Sequence, residues 1–135
     1  MLGYWRYAIS ILVLALGLSA YAQGASSSWV TQVPGLMVVM SDRASRSEPV
    51  RPPAGATTPA AVIERVQWQY QHAPGAALQA WLCHPERCVS LSGMRGETRA
   101  LSGISATTPL HFQFALNPGQ RPVSVKGLQM IVDYQ

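Results

Sequence analysis

Between Val62 and His72, the residues Val66, Trp68 and Tyr70 alternate with Arg65, Gln67, Gln69 and Gln71. A period of two belongs to a strand with one buried face; no amphipathic helix produces it. The same alternation returns from Leu110 to Leu116, where Leu110, Phe112, Phe114 and Leu116 face one way and His111 and Gln113 the other. In the final segment Val123 and Val125 share a face, and after Gly127 the apolar set becomes Leu128, Met130, Val132 and Tyr134. That one-residue change of phase predicts a bulge at the glycine.

The most informative stretch is Ala77 to Gly93, ALQAWLCHPERCVSLSG. Four residues, His84-Pro85-Glu86-Arg87, separate two cysteines, and the alternation on both sides reads as a β-hairpin. Pro85 suits the second position of a type I turn within a four-residue loop. Symmetric closure sets Cys83 against Cys88, Leu82 against Val89, Trp81 against Ser90 and Ala80 against Leu91. Leu78, Ala80, Leu82, Val89 and Leu91 then share one face, and the cysteines share the other with Trp81 and Ser90. Opposed cysteines lie within disulfide reach, whereas a one-residue slip would separate the sulfurs and expose the apolar set. The rival readings are weaker. Two cysteines and His84 supply too few ligands for a closed zinc site, and a four-residue spacing is not the C-x-x-C of a redox pair.

Trp29 to Met40 holds two β-rich runs broken by Pro34-Gly35, which predicts two short strands or one bent strand at a sheet edge. Its run Leu36 to Met40 is either buried on both faces or adhesive surface. Residues 41–60 have no period and are rich in proline, serine and threonine, so they read as a long loop whose Arg43, Arg46 and Arg51 offer at most a docking role. Gly93 and Gly96 mark a turn, Thr98 to Leu101 a short strand, and Asn117-Pro118-Gly119-Gln120 a type II turn. After residue 22 no helix is indicated. Seven or more short strands with turns between them predict an all-β fold, an antiparallel β-sandwich of two packed sheets.

The amino end changes the redox context of the hairpin. Arg6, the apolar core Ala8 to Leu18 and the small-x-small pattern Ala20-Tyr21-Ala22 predict a signal peptide over residues 1–22, cleaved after Ala22. The apolar run falls short of the roughly 20 residues of a membrane span, so none is expected once the signal is removed. Export delivers Cys83 and Cys88 to an oxidising compartment, where they pair. Residues 23–135 then make one domain, opening on a small, polar leader from Gln23 to Ser28. Arg6 leaves with the signal, so nine bases against six acids give +3, scattered rather than clustered. Nucleic acid is excluded as a partner on that ground.

Candidate chemistry is sparse. His72, His84 and His111 and the six acids stand singly, and no G-x-S-x-G, H-E-x-x-H or phosphate-cradling glycine loop occurs. No catalytic residue, metal ligand or cofactor site is assigned, and each imidazole is expected to face water. Trp81, either packing over the disulfide or serving as a platform for a sugar or peptide, marks the candidate binding surface together with Arg87.

Read together, Trp29 with Gly35, VQWQY at Val66 to Tyr70, LC-x4-CVSL at Leu82 to Leu91, G-x-T-R-A-L at Gly96 to Leu101, PLHFQF at Pro109 to Phe114 and IVDY at Ile131 to Tyr134 resemble the flagellar FlhE family. The resemblance covers Trp29 to Gln135 and rests on the ordered set. Around Pro49 to Pro59 the chain runs longer than the family pattern. The resemblance implies a periplasmic, non-catalytic accessory of flagellar assembly with no cofactor. Its expected partners are export-gate or basal-body proteins, and its expected role is limiting proton leakage or acting as a plug or chaperone. The alternative is a peptidoglycan-binding module working through Trp81.

Overall fold

The computed structural model describes residues 27–135, so the expected signal and its cleavage site lie outside the described residues. Nine strands follow in order: β1 Ser27–Val33, β2 Leu36–Val38, β3 Ser45–Arg46, β4 Ile63–Gln71, β5 Leu78–His84, β6 Arg87–Leu91, β7 Arg95–Thr98, β8 His111–Leu116 and β9 Val123–Tyr134. They form two antiparallel sheets. The larger runs β1-β9-β4-β7, with β2 also on β9, and the smaller runs β3-β8-β5-β6. No helix occurs among the described residues.

Strand β9 organises the larger sheet because it pairs with β1, β2 and β4. Its Gly127 has a φ of 63°, and the β4 register moves from Gln69↔Gln129 to Gln71↔Lys126 across it. This is the bulge that the phase change predicts. A second irregularity was not foreseen: Ile63 pairs with Tyr134 but Arg65 with Asp133. One extra residue on β4 there keeps Ile63 and Val66 both buried and turns Arg65 outward.

The two inner faces meet in one core. Phe112, Phe114, Leu82, Leu110, Val66, Val125, Met130 and Val132 are fully buried, and Tyr70 meets Phe114 edge-on at 5.0 Å between ring centroids. Each such side chain contributes about 1.5–3 kcal/mol of burial before conformational entropy opposes it. Leu36 to Met40 takes neither single fate: Val38 is fully buried while Met37, Val39 and Met40 are exposed.

Several sequence expectations need correction. Ser27 and Ser28 belong to β1 rather than a leader, since both pair with β9. The strand that follows the cysteine hairpin is Arg95–Thr98, not Thr98 to Leu101. Gly96 lies in that strand rather than a turn, and a Cβ there would meet the Trp68 ring at 2.6 Å. After Thr98 the chain turns, and Leu101 drops into the core as a loop residue. The 41–60 loop is tied down by β3, by the Val50↔Leu110 bridge and by the Tyr134 hydroxyl donating to the Ala56 carbonyl. The type II turn at Asn117–Gln120 is as expected, with Gly119 at φ 82° and the Gln120 N–H donating to the Asn117 carbonyl at 3.2 Å.

Candidate interaction surface

The hairpin adopts the predicted register at every pair from Ala80↔Leu91 to Cys83↔Cys88. The cysteines are joined as a disulfide with Cα atoms 4.0 Å apart, so neither thiolate is free for metal. Pairing continues one step further, to His84↔Arg87, and shortens the loop to Pro85-Glu86. Proline excludes the positive φ that the usual two-residue hairpin turns require, and neither loop residue adopts one.

That extra pair explains a histidine the sequence misplaced. His84 continues the inward phase of Leu78, Ala80 and Leu82 and is only 8% exposed, so its imidazole does not face water. Its Nδ1 accepts from the Glu86 N–H at 3.4 Å, while Nε2 is buried with no partner among the described residues. His72 and His111 are half-buried rather than solvated. Burial, and then the nearby charge of Arg46, lower the His111 pKa from its ordinary value.

The outer face of the smaller sheet carries Trp81. Across the strands Arg46, Gln113, Trp81 and Ser90 form one row, and His111, Cys83 and Cys88 form the next. Trp81 is half-buried and Gln113 Nε2 lies 3.1 Å from His111 Nε2. Beside the disulfide is a shallow cavity of about 230 Å³ that reaches Arg46, His111 and Arg87. Arg87 does not share a face with Trp81, because it pairs with His84 three positions along the hairpin. Its guanidinium donates to the Ala100 carbonyl at 2.8 Å.

The larger sheet holds two features that the sequence did not announce. On its outer face Asp133 accepts hydrogen bonds from the Ser28 hydroxyl at 2.6 Å, from Gln67 at 3.2 Å and from the Arg65 guanidinium, which also reaches Glu97 at 3.0 Å. Burial pushes the Asp133 carboxyl up, but these hydrogen bonds and the Arg65 charge outweigh it and hold it below the usual carboxylate value. Arg65 is in turn held more firmly protonated, first by its hydrogen bond to Asp133 and then by that carboxylate's charge. The residues lie far apart in sequence; only their shared outward phase hints at the cluster.

The second feature is the β1–β2 edge. Among the described residues these strands pair only with β9, leaving their outer sides open; Val30 and Met37 on them are 53% and 54% exposed, and just beyond β2 Val39 and Met40 are also exposed, with the Met40 carbonyl accepting from the Leu116 N–H of β8. An open edge with apolar side chains is a template for strand addition. No group of three or more histidine, cysteine, aspartate or glutamate side chains among the described residues is placed to hold a metal ion, and no described helix is long and apolar enough to cross a membrane.

Comparison with known proteins agrees with this architecture. The family described as Flagellar protein FlhE matches residues 35–135. The chain is 31% identical to the Flagellar protein FlhE of Yersinia enterocolitica, covering 91% of each, and 31% identical to that of Escherichia coli, covering 96% of this chain and 99% of the relative. A crystal structure of FlhE superposes with a TM-score of 0.69 at 28% identity, covering 82% of this chain and 98% of that one. With the sequence matching over at least 91% of the chain and the fold over 82% of it, the chain belongs to the FlhE family of flagellar proteins.

Proposed function

We propose that this protein is an exported, periplasmic accessory of flagellar assembly that acts by binding rather than by chemistry. In this reading residues 1–22 direct export, and residues 23–135 form a single domain that contacts the export gate or basal body and limits proton leakage there as a plug or chaperone. The observation that carries it is family membership across the described chain, joined to an open, apolar β1–β2 edge suited to adding a partner strand. The disulfide supports the oxidising compartment. Deleting the gene should acidify the cytoplasm of flagellated cells and have no such effect where the export gate is absent. Acidification that persists without the gate would contradict the leak-limiting role.

One observation favours a second reading. Trp81 lies on an outward face beside Gln113 and Arg46, a composition suited to a sugar. Retention on insoluble peptidoglycan that Trp81→Ala abolishes would favour it; co-purification with export-gate proteins that survives Trp81→Ala would favour the first.

A further inference from the structure

A cleft of about 680 Å³ opens at the end of the sandwich away from the cysteine hairpin's tip. Its walls are the turn joining β4 to β5, around Pro74-Gly75, and the turn joining β8 to β9, from Gly119 to Pro122. Both turns hold a glycine at positive φ, 80° at Gly75 and 82° at Gly119, and each is closed by a backbone bond of 3.2 Å. Proline-glycine turns of this kind are fixed in shape, so the cleft is formed before anything enters it.

Its charge is one-sided. Arg121 and Lys126 line it, and none of the chain's six acidic residues does. Both cations are exposed, and neither forms an ion pair among the described residues; the two ion pairs that occur there both belong to Arg65. Strand β9 therefore has an anion neutralised by an arginine near one end, at Asp133, and an uncompensated cation near the other, at Lys126. The Gly127 bulge contributes directly, because it brings Lys126 opposite Gln71 at the cleft. Re-aiming a side chain is what a bulge does.

We propose that this cleft binds an extended polypeptide segment bearing carboxylates. Arg121 and Lys126 take the acidic side chains, the arginine through its two parallel N–H donors. The amides of Gln71 and Gln120, each both donor and acceptor, match the N–H and C=O groups of a peptide backbone. A single small anion fills little of this volume and uses neither amide fully, whereas the size is that of a site for a larger ligand. The proposal goes beyond the flagellar reading and does not require it.

The test is fluorescence anisotropy with a labelled, end-capped hexaglutamate peptide against the matched hexaglutamine peptide, using the purified protein. Saturable binding of hexaglutamate alone is expected, weakening as salt is raised from about 0.05 to 0.2 M because exposed charges are screened over about 10 Å or less. Arg121→Gln with Lys126→Gln should weaken it tenfold or more. Arg43→Gln with Arg51→Gln removes the same charge from two exposed positions of the 41–60 loop and should change affinity less than twofold. All four positions are exposed, and unchanged urea midpoints will confirm that the variants fold. Backbone amide shifts on titration should centre on Gln71, Ser124 and Lys126. Equal loss in the two double variants, no loss in the first, or shifts centred elsewhere would overturn the proposal. So would complete displacement by millimolar inorganic phosphate at an ionic strength where chloride has no effect, since the cleft would then be a simple anion site.

Discussion

The two sheets end differently. The smaller sheet finishes on β6, five residues long, fixed to β5 through Cys88 and held to the next loop by the Arg87–Ala100 hydrogen bond. Its apolar Val89 and Leu91 lean on the core. The larger sheet finishes on β1 and β2, which have no covalent tie among the described residues, are interrupted by Pro34-Gly35 and leave Val30 and Met37 in solvent, followed by exposed Val39 and Met40. A sheet edge must be blunted or used, because its unpaired backbone recruits other strands. One edge here is short, clasped and charged; the other is left open and apolar. On the reading proposed above, the first edge supplies rigidity and the second partner contact.

Both edges rest on one interior, so the largest effect should be shared between them. Phe112→Ala removes a fully buried ring stacked near Phe114, 5.9 Å between centroids, and should cost about 3–5 kcal/mol. An unchanged urea midpoint would show that β8 does not face the core. The next effect should be confined to the clasp. The double variant Cys83→Ala, Cys88→Ala opens a small ring, and chain entropy sets its cost at about 2 kcal/mol. Differential hydrogen exchange should place that loss in residues 78–91 and leave β1, β2 and β9 protected as before; uniform loss would mean the clasp holds the whole sandwich together.

A smaller effect comes from protons, and its sign is the same on both sheets. His111 has a lowered folded pKa, so below about 6.5 the unfolded chain takes up the proton first and stability falls as pH drops towards the folded value. Asp133 is also lowered; its contribution is complete above about 3.9, the unfolded value, and is lost as pH falls through the folded one. Stability should therefore decline in two steps on acidification. His111→Gln should remove only the upper step and Asp133→Asn only the lower. A single step that neither substitution alters would contradict the assignment.

Much of the interior was legible because two constraints agreed. In the hairpin the disulfide and the apolar stripe demanded the same register, and in β9 the phase change at Gly127 announced its bulge. Where polarity was uniform, the chain was silent. Glu64 and Arg65 are both polar, so neither betrays which one is extra in β4. Arg95 to Thr98 has no alternation, and it is a strand because β4 offers it a partner. Ser45-Arg46 is too short to carry a period. His84 faces inward because the loop closes one pair tighter than the four residues between the cysteines suggest. For the candidate surfaces, the outward phase set Trp81 on the outer face, but the Asp133 cluster draws on Ser28, Arg65 and Asp133, and the cleft sets Gln71 against Arg121 and Lys126; residues so separated along the chain have no local signature.

The most direct test compares the two edges in the presence of a partner. Amide hydrogen exchange of the protein, alone and with isolated flagellar basal bodies bearing the export gate, should show added protection in residues 27–40 and none in the Leu78 to Leu91 hairpin. Met37→Lys, which changes an exposed side chain and should alter stability by no more than about 0.5 kcal/mol, should abolish that protection. Protection that appears on the hairpin while residues 27–40 exchange as freely as before would contradict the account.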